Sequence, residues 1–415
     1  MRISIVSINY APEATGIAVY SRGMAEYLVR NGHEVVVHTG FAYYPTWRKS
    51  PGDRGRLYRR ERLNGVDVRR TYLYVPAHPS VIGRIIHEAT FIVGALVAYL
   101  AARRADLTIV VSPPMPLGLP LLLGARLKGS QSIFHVQDLQ PDAALDLGML
   151  RPGLLASILF AMEAACYRWA DYVSTISKGM LDRIRSKGVD ARKLLVFRNW
   201  ANDRAVQPLD RMTGFRREWS LEGCFVVLYS GNMGVKQGLD ILLDAAGYLA
   251  VFHDIVFLIV GDGGEKERLV AAARVRGLLN VRFQPLQPFE RLAELLATAD
   301  VSVIPQRGGL SDIVLPSKLC NHLASGRPVV VTADPGSDLA QIVSSGPCGL
   351  VVPPEDAPAL AAAILQLRDQ ADRRERFGRN AVRVMRAMLS EEAVLDGFAA
   401  TLERIARDES VPARP

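Results

Sequence analysis

Cysteine is scarce in this chain: four in 415 residues, Cys166, Cys224, Cys320 and Cys348, all widely spaced. None forms a C-x-x-C pair and no histidine stands at ligand spacing. That argues against a structural zinc or a disulfide framework and fits a reducing compartment. Low-complexity blocks are missing as well. MRISIVSINYAPE opens as a strand-like run, without the longer apolar core and small-residue cleavage site of a signal peptide, so no leader is expected and the protein is expected to stay in the cytoplasm. A long apolar run is also wanting. Residues 81–104, VIGRIIHEATFIVGALVAYLAARR, are uncharged only from Ala89 to Ala102, short of the about 20 residues that span a bilayer.

What is present is globular. Hydrophobic residues make up 49% and charged residues 22%. A chain of this length exceeds one ordinary core, so two domains of roughly 200 residues are expected. The net charge of +8 is partly local: residues 48–70, RKSPGDRGRLYRRERLNGVDVRR, hold nine Arg or Lys against three acids. No recognition motif or aromatic–basic interleaving accompanies them, so nucleic acid is not the expected partner. A solvated loop and a contact with an anionic membrane surface both stay open. Residues 81–104 likewise read either as a buried core helix or as a helix in the membrane interface, with Arg103, Arg104 and the basic loop facing lipid headgroups. The second pair of readings makes the protein peripheral on the inner face of the cytoplasmic membrane.

Apolar strand-like runs alternate with helical patterns along nearly the whole chain, which predicts α/β domains with parallel sheets. RISIVSI, HEVVVHT, DLTIVV, QSIFHVQ, DYVSTIS and KLLVFRN form the first set, with Ile17, Tyr20, Met24 and Leu28 on one face of the first helix. The second set is CFVVLYSG, IVFLIVGDG, NVRFQPL, DVSVIPQ, RPVVVTA and CGLVVPP. The seam falls in FRNWANDRAVQPLDRMTG, and after Pro358 the chain turns helical. The division expected is 1–203, 204–385 and a C-terminal helix and tail, 386–415, returning towards the first domain. Two Rossmann-like halves around an interdomain cleft is the simplest architecture, with ligands beyond the carboxyl ends of the strands.

Four loops at such ends have phosphate-binding chemistry. In YSGNMGVKQGLD, Gly231 and Gly234 permit close backbone approach, the next helix start offers N–H groups, and Lys236 could add charge. In LPSKLCNHLASGRPVV, Ser317 and Lys318 occupy a first helical turn, where a lysine meets the wrong end of the helix dipole unless an anion sits there. VGDGGEKERL brings Gly263 and Glu265 without the strict G-x-G-x-x-G spacing, and Glu265 is explained as well by the dipole. INYAPEATGIAVYSRGMAEYL opens a helix at Gly16, directly after the first strand.

Together these segments resemble the retaining GT-B glycosyltransferases of family 4, in order and spacing, over essentially the whole length. INYAPEATGIAVYSRGMAEYL, YYPTW, HVQDLQPDAALDLG and FRNW are similar to the bacterial exopolysaccharide transferases of the colanic-acid fucosyltransferase type. The resemblance implies a nucleotide-diphosphate sugar on the second half and an acceptor on the first. It places the donor phosphates at Gly231, Asn232, Gly234, Ser317 and Lys318, and the nucleobase near Leu286, Gly263 and Glu265. Gly16 would meet the diphosphate or the acceptor from across the cleft. The implied reaction moves a hexosyl group, fucosyl or a related deoxysugar included, in exopolysaccharide synthesis. A lipid-linked saccharide, such as one on a polyprenyl diphosphate, is the natural acceptor.

The chain departs from the family in three places. Two glutamates eight residues apart are replaced by Ile313 and Asn321, so Asn321 would hold the ribose as a neutral amide. The Arg and Lys of the glycine loop are Asn232 and Gln237 here. A histidine before the Asp of HVQD is Gln137, with His135 two residues earlier on the same strand face. Bond cleavage builds negative charge on the leaving diphosphate, which helix N-termini and Lys318 would stabilise. No D-x-D motif occurs, so neither a metal nor another cofactor is expected. His135 and Asp138 are the candidates near the reacting sugar. Rival readings are a nucleotide-sugar-binding protein without transferase activity, an epimerase on the same scaffold, and, least favoured, a nicotinamide dehydrogenase, which would need a glycine fingerprint and a ribose-binding acid.

Overall fold

The computed structural model describes the chain apart from residues 14–15, 79, 147, 149, 201–205, 309–317 and 408–415, and the side chains of Asp146 and Lys236. It divides into two compact units, Met1–Arg198 with Leu395–Pro415, and Asn199–Val394.

The first unit contains β1 (Arg2–Val6), β2 (Glu34–Gly40), β3 (Tyr58–Leu63), β4 (Val66–Thr71), β5 (Leu107–Ser112), β6 (Gln131–Val136), β7 (Tyr172–Thr175) and β8 (Leu194–Val196). They form one sheet in the order β3-β4-β2-β1-β5-β6-β7-β8, parallel except for β3 against β4. The inner strands are continuous apolar runs because helices cover both faces of a parallel sheet, and every residue of β5 is buried. The helix Ile17–Arg30 buries Ala18, Ser21, Met24, Ala25 and Leu28, leaving the expected Ile17 and Tyr20 half-buried.

Residues 48–57 of the basic stretch are a mostly exposed loop with one short 3₁₀ turn, Pro51–Asp53, and its second part, from Tyr58 on, is a hairpin of β3 and β4. Asn64 and Gly65 turn it with positive φ, 48° and 85°, as the twist of a two-residue hairpin requires. All three acids of the stretch are engaged: Asp53 and Glu61 by Arg59, Glu61 by Arg70, and Asp67 by Arg60 and Arg69. The apolar segment downstream is a helix of 21 residues, Val81–Ala101, which starts eight residues before the uncharged stretch. Among the described residues it is the one helix long and apolar enough to cross a membrane. One stripe of it is buried in this unit, against β2 and β4.

The second unit holds β9 (Phe225–Ser230), β10 (Ile255–Val260), β11 (Val281–Gln284), β12 (Val301–Ile304), β13 (Val329–Thr332) and β14 (Gly349–Val352). Their order is β11-β10-β9-β12-β13-β14, all parallel. Alternate residues of β9 feed two cores, Val226 and Leu228 on one face and Phe225, Val227 and Tyr229 on the other. The direction of winding reverses between β9 and β12, and a crevice beyond their carboxyl ends is where such sheets bind ligands. In the first unit the same reversal lies between β1 and β5.

Candidate functional site

At the reversal in the second unit, the chain leaves β9 through Tyr229 and Ser230 into Gly231, whose φ is +134°. A Cβ there would stand 2.3 Å from Cε and 2.7 Å from Nζ of Lys318. The positive φ favours glycine here, and the absence of a Cβ leaves the lysine room to pass over the strand end. Lys318 opens the helix Lys318–Ala324, is half-buried, and donates from Nζ to the Tyr229 hydroxyl, with the ammonium 4.2 Å from that ring's centroid. The Tyr229 hydroxyl in turn donates to the carbonyl of Asn232. Burial pushes Lys318 down to about 7, with no carboxylate opposing the shift. One turn on, burial and the nearby Lys318 push His322 down to about 3.

The glycine loop is tied to the loop after β10. Gly231 N–H donates to Val260 O at 2.9 Å and Met233 N–H to Asp262 O at 2.7 Å. A Cβ at Gly263 would stand 2.4 Å from Met233 O. Gly234 N–H donates to Gln237 Oε1 at 3.0 Å. This differs from the expected amide cradle in a definite way: the amides of Gly231, Met233 and Gly234 already have acceptors. Nor does a helix begin at the glycines. A 3₁₀ turn, Val235–Gln237, and left-handed Gly238 intervene before the helix Asp240–Tyr248, whose Leu239, Leu242, Leu243 and Ala246 are buried as the pattern predicts. Lys318 brings positive charge to this loop.

The other expected residues fall around this point. Asn232 is exposed beside Gly231, and Asn321 is half-buried one turn after Lys318. Lys236 lies in the 3₁₀ turn, its side chain outside the described residues, as is Ser317. Glu265 accepts from Arg268 Nε at 2.7 Å, and Arg268 also clamps Asp240 with two bonds of 2.8 Å. Glu265 is thus an ion-paired residue at the helix start, and its N–H donates to Met233 O. Leu286 is exposed on the loop after β11, next in line along the same sheet end. Among the described residues no three His, Cys, Asp or Glu side chains gather to hold a metal ion.

In the first unit, Gly16 caps the helix Ile17–Arg30 with φ 61°, and no atom lies within 4 Å of where a Cβ would be. His135, on β6, is buried: Nδ1 meets Ser174 Oγ at 2.8 Å and Nε2 meets Gln137 Nε2 at 3.0 Å. Its ring packs on Phe197, which stacks on Phe398. Burial pushes its pKa down to about 3. The period-2 pairing of His135 with Gln137 holds, and His135, next to last in β6, is a buried, neutral residue whose ring nitrogens are taken by Ser174 and Gln137. Asp138 follows, half-buried, at the turn into the helix Gln140–Asp146.

A model of the glycosyl transferase 4-like domain matches residues 15–200, and one of the glycosyl transferases group 1 matches residues 224–370. The protein of Escherichia coli (strain K12) named colanic acid biosynthesis glycosyl transferase WcaI is 38% identical over 375 residues, 88% of this chain and 92% of that one. The chain is a group 1 glycosyltransferase. The glycosyltransferase named WbjE of Pseudomonas aeruginosa is 26% identical, over 63% of this chain and 66% of its own. The solved sucrose-phosphate synthase of Thermosynechococcus elongatus superposes with a TM-score of 0.75 at 20% identity, covering 98% of this chain and all (100%) of that one. Anabaena HepE in complex with UDP and glucose does so with 0.71 at 14%, covering 97% and 99%. These likenesses give this glycosyltransferase the GT-B fold, two Rossmann-like domains with parallel sheets.

The residue of this glycosyltransferase that the sequence did not single out is Tyr229. It holds Lys318 across 89 positions of chain. The only local cue was a hydroxyl-bearing ring near the end of an apolar strand, where a buried tyrosine must find a partner for its tip.

Proposed function

We propose that this glycosyltransferase moves a hexosyl group from a nucleotide-diphosphate sugar to a lipid-linked saccharide in cell-surface polysaccharide synthesis, with retention at the anomeric carbon and without a metal. The observation that carries the donor side is Lys318, a half-buried cation with no carboxylate partner among the described residues, laid over Gly231 at the carboxyl end of β9. An anion is what such a group lacks. The charge that develops on a leaving diphosphate is the kind a preorganised lysine stabilises most, because no reorganisation is needed as the bond breaks. HepE was solved with UDP and glucose, and a further structural neighbour with UDP-2-fluoro glucose. The name of the relative from Escherichia coli supports the polysaccharide setting. Asn232 beside Gly231, Asn321 one turn after Lys318, and Gly263 against Met233 take donor contacts, Leu286 offers an apolar wall to the base, and Gln137 and Asp138 face the acceptor. His135 acts through Gln137.

A thermal-shift panel of UDP, GDP, ADP and dTDP tests the donor reading. One nucleotide should stabilise the protein by about 2.7 kcal/mol at a hundredfold excess over its Kd. Its sugars are then assayed for transfer, with the anomeric configuration of the product read by NMR. No shift with any of the four overturns the donor reading and leaves the fold standing.

A further inference from the structure

The helix Val81–Ala101 has two apolar faces, and the fold uses one. Gly83, His87, Phe91, Ala95 and Tyr99, every fourth residue, are buried. Opposite them Ile82, Ile86, Ala89, Val93, Val97 and Leu100 recur at spacings of four, three, four, four and three, and all are exposed. Ile82 is 71% exposed, Val93 64% and Val97 63%. A surface helix ordinarily turns charge outward; this one turns aliphatic side chains outward along about 30 Å.

The helix is held in place by its other face. Ser80 caps its start by accepting from Gly83 N–H, His87 Nδ1 meets Tyr74 O, and the Tyr99 hydroxyl bonds Thr108 Oγ1 at 2.8 Å. Lys128 Nζ donates to the carbonyls of Tyr99, Leu100 and Ala102, closing the far end. A helix so anchored along its length cannot cross a bilayer alone. It can lie flat on one.

Charge at the far end fits an anionic surface. Arg103 and Arg104 are exposed just past the last turn, Arg84 is turned to the held side over the Trp47 ring, and Glu88, the helix's one acid, is half-buried with its carboxyl pKa raised by burial. We propose that this helix seats the protein on anionic phospholipid, with the Ile82–Leu100 stripe below the headgroups and Arg103 and Arg104 among the phosphates. The surface stands apart from the transfer reading, because it needs no sugar nucleotide.

Flotation of the whole protein at physiological salt, without nucleotide, tests it, using phosphatidylcholine vesicles with and without phosphatidylglycerol. Wild type should float with the anionic vesicles. V93E/V97E should lose at least about tenfold of that binding, since it places charge in the apolar layer. R103A/R104A should lose about thirtyfold on anionic vesicles only, at about 1 kcal/mol per basic residue. The exposed positions should leave the melting temperature unchanged; if V93E/V97E misfolds, the arginine pair decides. Wild type that stays down with both vesicles overturns the proposal, as do variants that float like wild type. A dimer in sedimentation that V93E/V97E dissolves, with no flotation, would assign the stripe to a second copy instead.

Discussion

Two basic side chains, one in each unit, are handled in opposite ways. His135 is satisfied: Ser174 and Gln137 take both ring nitrogens, and burial holds it neutral with its pKa pushed down to about 3. Lys318 is not: one tyrosine hydroxyl and the face of its ring are its described contacts, and burial brings it only down to about 7. A polar group with its partners in place stabilises the fold and has nothing left to offer a ligand. A cation half out of water without a counter-ion costs the fold stability, and an arriving anion recovers that cost. The difference between structure and site is thus read from satisfaction, and depth of burial does not decide it.

The comparison breaks most visibly at Lys318. Lys318→Ala should lower kcat by about 10²–10³-fold, the scale of removing one preorganised charge stabiliser, while relieving the cost of burying a cation and so leaving the melting temperature unchanged or higher. Turnover near wild type would remove Lys318 from the site. A sharper form uses pH. Free, Lys318 titrates at about 7; against a diphosphate its charged form is favoured, so its bound pKa is higher and binding takes up a proton. Below pH 7 it is charged in both states and contributes no slope. Above pH 7 nucleotide affinity should fall by about tenfold per pH unit until the bound pKa is reached. Calorimetry of wild type beside Lys318→Met isolates this slope; parallel pH profiles would mean that Lys318 does not meet the anion.

Much of the fold was legible because parallel strands buried on both faces read as unbroken apolar runs: VVV in β2 and IVFLIV in β10 have no other environment to go to. The β3–β4 hairpin was hidden by its own charges, YRRERL and VDVRRT, although Asn64–Gly65 between them is a direct hairpin cue. At the site, Lys318 was legible from chemistry alone, a lysine at the wrong end of a helix. Tyr229 was not, since its role depends on a helix 89 residues away reaching the end of β9. The amide cradle was overread because a glycine turn does not disclose whether its N–H groups are spent, and Val260, Asp262 and Gln237 spend them. His135 shows the same limit in another form. Period 2 pairs it with Gln137, but only β7, which supplies Ser174, and Phe197 decide that this face points inward.

His135 therefore carries the finest distinction. In the unfolded chain it binds a proton below its ordinary value of 6.5; in the folded protein it stays neutral down to about 3. The unfolded state holds more protons between those limits, so stability falls as pH drops through that window, by about 1.4 kcal/mol per pH unit from this residue. His38 and His322, also pushed down to about 3 by burial, act in the same direction. His135→Asn should remove one such increment from the slope between pH 6.5 and 5 in urea unfolding. It should also lower stability at neutral pH by about 1–3 kcal/mol, because Ser174 or Gln137 is left without its partner. Turnover should change by only a few-fold, through Gln137. If His135→Asn instead matched Lys318→Ala in lost kcat with stability intact, the ring would have to reach the reacting sugar, and satisfaction would no longer separate the two residues.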